Sequence, residues 1–258
     1  MVYGRTDIGR SRTSNQDAFA CGRLGDRAEY AVVCDGMGGV NGGGVASAIA
    51  VRVIASAIAA WVTEDINGGG PAEALPEKMT EHNLRGMLES AFAAANAEIL
   101  AAALADDSLR GMGTTAVAAV LSSVPGAERA YIVHVGDSRV YRLSEGNLEQ
   151  MTRDHSIVQN MVEKGELTPS EAEHHPRKHF ITRALGVDSS VECDYASFPP
   201  GPGGMLLLCT DGLTNMVDAE EIKKILLTAP AGEAADRLVA AANLNGGSDN
   251  TTAVIMTL

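Results

Sequence analysis

The chain has 258 residues, 45% hydrophobic and 21% charged, which supplies enough apolar material for a large buried core and argues against wholesale disorder. A formal net charge of -13 with no offsetting basic run argues against nucleic acid or an anionic membrane surface as partner, since both are polyanions. Cys21, Cys34, Cys193 and Cys209 have no CxxC spacing, so neither a disulfide framework nor a thiolate metal site is expected.

One domain over residues 1–258 is the expectation, because β-rich folds often run this long around one core. The opening MVYGRTDIGRSR has no apolar h-region or small-residue cleavage site and does not read as a secretory signal. Residues 28–35 predict a strand, and Gly42-Gly43-Gly44 then releases a helix over 45–63. Its alanine-rich stretch is interrupted by Arg52 and reads as a buried helix, not a membrane span. A soluble, cytoplasmic protein, monomeric by default, follows. INGGGP (66–71) and Pro76 break the chain before a second helix over 83–105. Its residues Leu84, Leu88, Ala91, Phe92, Ala95, Ile99 and Leu104 keep mostly three- and four-residue spacing, the mark of one buried face.

Strands are expected over 114–122, 129–136, 139–143 and 204–210, with Ser144-Glu145-Gly146-Asn147 as a hairpin turn. A helical pair over 218–243 opens on Asp218 and Glu221 as a capping-box-like start, and a last strand covers 251–257. Residues 152–186 form a polar insertion with two short helices, the first stopped by Gly165 and the second opened by Thr168, Pro169 and Glu171. That is long for a plain connection and reads as a lid or substrate-contacting flap. Strands in blocks separated by helix pairs predict an α+β fold, a layered sandwich of antiparallel sheets with outer helices.

Three apolar runs, AVVCDGMGG (31–39), YIVHVGDSR (131–139) and MLLLCTDGL (205–213), end on an aspartate beside glycine. A fourth acidic turn, GGSDN (246–250), precedes TTAVIM, and Asn15-Gln16-Asp17 stands near the start. A single Asp-Gly is ordinarily a turn. Several strand ends delivering carboxylates together suit hard divalent cations, Mg²⁺ or Mn²⁺, acting on a phosphate ester. Two such ions held by a shared carboxylate lower the pKa of a bridging water and clamp the phosphoryl oxygens. Asp35 is the natural bridge, since Gly36 lets the backbone carbonyl come close to the same ions; Asp211 and Asp249 complete one ion's shell. His134, His155, His174, His175 and His179 lack zinc-ligand spacing, with His155 expected to cap or pack in the flap, and Cys34 and Cys209 read as core packing.

The ordered set RTSNQD, DGMGG, GMGTTA, VGDSR, CTDGL and GGSDN resembles the protein phosphatase 2C family of metal-dependent serine/threonine phosphatases, in its compact bacterial form, over residues 5–257. The resemblance implies a four-layer αββα sandwich with two antiparallel sheets flanked by helix pairs, and a helical flap over 152–186. It implies that Asp35 bridges two Mn²⁺ or Mg²⁺ ions, that the Gly36 carbonyl binds one, and that Asp211 and Asp249 bind the other. Arg12 would grip the substrate phosphate with its planar fork of donors. Asp17 would act through water on the ions, and Asn250 would brace its turn. Hydroxide held between the ions would attack phosphoserine or phosphothreonine directly, and the substrates would be phosphoproteins made by a bacterial serine/threonine kinase.

Three positions depart from the family pattern. Gln16 stands where many members carry glutamate, which predicts weaker metal binding. Met37 replaces a histidine thought to protonate the leaving group in animal members, so water or a flap residue must serve. Bacterial relatives often hold a third cation with an aspartate here matched by Asp137 and with a second carboxylate here replaced by Asn215. The neutral amide predicts lower occupancy there, unless its oxygen coordinates instead. These departures give some weight to an alternative, a weakened or inactive phosphatase fold that binds phosphoproteins. A haloacid-type phosphatase is not supported, because Asp35-Gly36-Met37 is not a DxDx[TV]-like strand end.

Overall fold

The computed structural model describes residues 1–25, 28–39, 42–67, 81–122, 128–230 and 232–257, with the side chains of 62–67 left aside. Two antiparallel sheets form its centre. The first comprises β1 (Val2–Asp7), β7 (Arg139–Ser144), β8 (Asn147–Gln150), β10 (Met205–Cys209) and β11 (Thr251–Thr257), in the order β1-β11-β10-β7-β8. The second comprises β2 (Asp17–Leu24), β3 (Ala28–Met37), β5 (Ala116–Ser122), β6 (Arg129–Val135) and β9 (Asp194–Phe198), in the order β2-β3-β5-β6-β9, while the short β4 (Gly113–Thr114) extends the end of β3.

The central strands read as unbroken apolar runs because both of their faces are covered. In β5, Ala116, Ala118 and Val120 turn to the helices, while Val117, Ala119 and Leu121 turn to the other sheet. In β10, Leu207 and Cys209 face outward and Leu206 and Leu208 inward. This period-two division makes three stacked apolar layers, helices on sheet, sheet on sheet and sheet on helices. The αββα sandwich expected from the resemblance is therefore the observed fold.

The outer layers are α1 (Gly42–Asn67) and α2 (Glu81–Ala105) on one side, and α6 (Ala219–Thr228) and α7 (Ala234–Leu244) on the other; the remaining helices are α3 (Ile157–Glu163), α4 (Pro169–Glu173) and α5 (Asp211–Thr214). By length and composition, Gly42–Trp61 and Glu81–Ala105 could cross a membrane. Here both rest on the second sheet, through Ala46, Ala50, Ile54 and Ile58 of α1 and Leu84, Leu88, Phe92 and Ile99 of α2. Leu104 departs from the predicted buried face and is 88% exposed. The five-residue step from Ile99 takes it off the stripe, and Ala102 and Ala103 pack there instead.

β1, β2 and β9 were not predicted. They are half-buried strands without a clean apolar alternation. Asp218 caps α6 as expected by accepting the Glu221 N–H at 2.8 Å, whereas the Glu221 carboxylate faces Asn245 and does not complete the box. The full capping box forms at Thr168 and Glu171. The predicted INGGGP break runs into residues outside those described, as does Pro76. The flap is pinned at its base by Ser156 pairing with Ile181 and by Leu185 pairing with Thr114, so the helical excursion leaves and returns beside the second sheet.

Candidate metal centre

All five aspartates come to one rim of the sandwich, and strand pairing explains why. Cys209 at the end of β10 is in register with Arg139 at the start of β7 and Ala253 near the start of β11. Asp211, Asp137 and Asp249 lie just beyond those positions, at the same end of the first sheet. From the second sheet, Asp17 and Asp35 are direct cross-strand partners in the β2–β3 pair. Like charges directly opposite one another oppose sheet formation, so this pairing requires compensation.

Asp17 is 8% exposed, and its Oδ2 accepts the hydroxyls of Thr210 at 2.9 Å and Thr252 at 2.7 Å, which stitches the two sheets together. Its Oδ1 is buried without a partner, as is Oδ1 of Asp211. Burial, with the charges of Asp211 and Asp249 adding to it, lifts the Asp17 carboxyl to about 7. Burial and then Asp17, Asp211, Asp137 and Asp249 push Asp35 well above the usual carboxylate range. Asp137 is lifted to about 7 by burial and by Asp211. Unpartnered buried oxygens amid mutually repelling carboxylates make a donor set that fits hard divalent cations, whose charge and oxygen preference relieve both penalties.

The supporting shell is specific. Gly36 is squeezed between two backbone carbonyls: an added Cβ would lie 2.0 Å from the oxygen of Gly43 and 2.7 Å from that of Gln16. Thr115 receives the Asp35 N–H on its Oγ1 at 3.0 Å, and Thr114 donates its hydroxyl to the Asp35 carbonyl at 2.8 Å. Asn250, expected to brace its own turn, instead braces the N-terminal loop: it accepts the Gln16 N–H at 2.8 Å and donates to the carbonyls of Ile8 and Ser14, fixing the loop that carries Arg12. Gln16 donates its amide to the Gly39 carbonyl at 3.3 Å, a bond that glutamate could not make when ionised. Arg12 reaches Asp249 at 2.7 Å, and Asn215 donates to Asp211 Oδ2 at 2.9 Å.

A cleft of about 750 Å³ opens beside Asp137, Asp211 and Asn215, with the flap contributing Gln159, His174, Lys178 and His179 to its wall. His179 comes within 3.9 Å of the Asp211 carboxylate, which raises its pKa. Arg139 also lines the cleft but is locked by Asp154 and the Tyr141 hydroxyl. The thiols of Cys34 and Cys209 are fully buried and pushed up, that of Cys209 to about 12, so they pack and do not react. His155 caps no helix; it is buried at the flap root beside His134 and Asp194, a grouping that sequence spacing did not reveal.

A carboxylate rim of this kind at the edge of an αββα sandwich defines a metal-dependent phosphohydrolase. The family model described as protein phosphatase 2C matches residues 5–243. The serine/threonine phosphatase stp of Listeria innocua is 37% identical over 253 residues, covering 98% of this chain and 93% of that protein. The crystal structure of the Mycobacterium tuberculosis serine/threonine phosphatase PstP/Ppp superposes with a TM-score of 0.83 at 34% identity, covering 100% of this chain and 98% of that one. A structure of the catalytic domain of PstP in complex with 2 manganese ions gives a TM-score of 0.80 at 32% identity, covering 99% of this chain and 96% of that one. The chain belongs to the protein phosphatase 2C family and is a metal-dependent serine/threonine protein phosphatase.

Proposed function

We propose that Asp35 bridges two Mn²⁺ or Mg²⁺ ions, with the Gly36 carbonyl on one and Asp211 and Asp249 on the other, within a single catalytic domain spanning 1–258. The observation that carries this reading is the cross-strand Asp17–Asp35 pair with unpartnered carboxylate oxygens on Asp17 and Asp211. Two divalent cations, when bound, supply the activated water and the positive charge that clamps a phosphoryl group. Asp17 and Gln16 orient the surrounding water, and Arg12 leaves Asp249 to hold two phosphate oxygens through its guanidinium fork. Hydrolysis forms one P–O bond from water as the ester bond breaks, and the departing alkoxide takes a proton that Met37 cannot give.

Asp137 with Asn215 is the weaker third site, where an amide replaces a carboxylate. The substrates are phosphoserine and phosphothreonine proteins drawn into the cleft beside the flap, made by a bacterial serine/threonine kinase, and the enzyme works as a cytoplasmic monomer. The test is hydrolysis of p-nitrophenyl phosphate and a phosphothreonine peptide in EDTA, Mg²⁺ or Mn²⁺, with native protein and Asp211→Ala. Turnover with either cation and a loss of about 100-fold or more in the variant are expected, since even groups that only support metal ligands cost 10–100-fold. Full activity of Asp211→Ala, or turnover in EDTA, would refute the ligand assignment.

A further inference from the structure

The flap root contains a buried cluster that phosphate hydrolysis leaves unused. His134, on β6, and His155, the residue before the cap of α3, are 4% and 5% exposed and stack with ring centroids 4.7 Å apart and planes 19° from parallel. With Asp194 they bring potential ligand atoms within 4.8 Å of one another. The geometry does not describe a cation site. Lone pairs lie in the ring planes, so near-parallel stacked imidazoles do not aim them at one point. The Gly136 N–H also already donates to His155 Nδ1 at 3.1 Å. That bond places the ring proton on Nε2, facing Asp194 Oδ2 at 3.4 Å; Arg183 Nη1 lies equally far from Nε2, and as a donor it makes no hydrogen bond to this tautomer. Asp194 is held in turn by Arg183 at 2.9 Å. An accepting Nδ1 requires the neutral ring, and burial, then His134, lowers the His155 pKa in the same direction.

Gly136 is gripped from both sides. His155 returns its own N–H to the Gly136 carbonyl at 2.9 Å, and its carbonyl accepts the Thr182 N–H of the returning flap segment at 2.7 Å. On the opposite side a Cβ at Gly136 would fall 2.6 Å from Cγ2 of Thr115, the residue whose hydroxyl supports Asp35 and meets Ser138 at 2.7 Å. The next residue is Asp137. One residue therefore links the flap's entry and exit to the turn that presents a carboxylate to the metal centre, its side chain through the Gly136 N–H and its main chain through the Gly136 carbonyl and the Thr182 N–H.

We propose that His155 is a positioning residue of the phosphatase: its Nε2–H imidazole clamps Gly136, so that the flap root and the Asp137 carboxylate are oriented as one unit. The consequence for cations rests on the reading of Asp137 as a cation ligand; the clamp itself does not.

The test compares His155→Asn with His155→Gln in the full chain. Asparagine places Oδ1 as far from Cβ as Nδ1 and still accepts from Gly136. Glutamine reaches toward the Nε2 position and leaves the buried Gly136 N–H without its acceptor. Hydrogen exchange at Gly136 stays near native in His155→Asn and accelerates about 10-fold or more in His155→Gln, as loss of a buried hydrogen bond requires. The Mn²⁺ concentration for half-maximal activity rises by about 10-fold in the glutamine variant alone, as for other groups that orient metal ligands. Equal Gly136 exchange in the two variants overturns the clamp. Imidazole ¹⁵N spectra of the native protein test it without any substitution: an Nε2–H tautomer upholds it, and an Nδ1–H tautomer overturns it. Fast Gly136 exchange in His155→Gln with unchanged Mn²⁺ dependence upholds the clamp and removes Asp137 from the cation site instead.

Discussion

Asp17→Asn separates the cost of the carboxylate rim from its use. Asp17 is buried opposite Asp35, and its carboxyl is lifted from 3.8 to about 7. A rise of about three units at 1.36 kcal/mol each sets a ceiling of roughly 4 kcal/mol on the penalty above pH 7. Because Asp35 opposite can carry the proton instead, about half of that, ~2 kcal/mol, is the working value. Asparagine keeps an oxygen for the Thr210 and Thr252 hydroxyls and turns an amide donor toward the carboxylates where Oδ1 has no partner. In EDTA at pH 8 the variant should therefore be more stable than the native chain by ~2 kcal/mol, or roughly 4–8 °C in Tm at this length.

The sign follows from linkage. Below the unfolded pKa both states are protonated and the group costs nothing; the penalty grows as pH rises toward about 7 and is complete above it. The gap between variant and native must then close on acidification to pH 4. Mn²⁺ at pH 8 should reverse the order, because the native rim gains more from the cation. Urea unfolding at both pH values, with EDTA and with Mn²⁺, reads all three effects. A variant less stable than native in EDTA at pH 8, or a gap that persists at pH 4, refutes the reasoning.

Asn215→Asp replaces the 2.9 Å hydrogen bond to Asp211 with two facing carboxylates. It should lower stability in EDTA by about 1–3 kcal/mol and raise activity at limiting Mn²⁺; unchanged melting and Mn²⁺ titration curves would contradict the third-site assignment. Arg12→Lys should raise KM for p-nitrophenyl phosphate about 10-fold or more, the equivalent of one charge-assisted hydrogen bond, with kcat less affected, and an unchanged KM would remove Arg12 from phosphate binding. Gly36→Ala forces a methyl between two backbone carbonyls that cannot step aside. It should cost about 3 kcal/mol in urea unfolding or prevent folding, and a native-like midpoint would show that the loop gives way.

Legibility followed burial. The runs 28–35, 114–122, 204–210 and 251–257 were readable as strands because both faces are covered and their central residues are apolar. β1, β2 and β9 carry mixed, half-buried patterns and owe their conformation to the strand each pairs with. Asp35, Asp137, Asp211 and Asp249 were visible because acidic turns recur beside four apolar runs, although any one of them alone reads as an ordinary turn. His155 was expected to cap or pack in the flap, but its partners Gly136 and Asp194 were not visible, because sheet pairing and not local spacing brings them to it.

The sequence by itself determined the layers and the chemical type of the site. Two-sided apolar strands need cover on both faces, and oxygen donors without cysteine or histidine at ligand spacing select hard cations. Only the tertiary structure decided that Asp17 stands opposite Asp35, that Asn215 is bound to Asp211, and that His155 locks the flap to Gly136. Register, unlike pattern, is a property of two strands at once. A one-residue slip would turn Asp17 from the carboxylate cluster to the other face while leaving the chain's own apolar pattern unchanged.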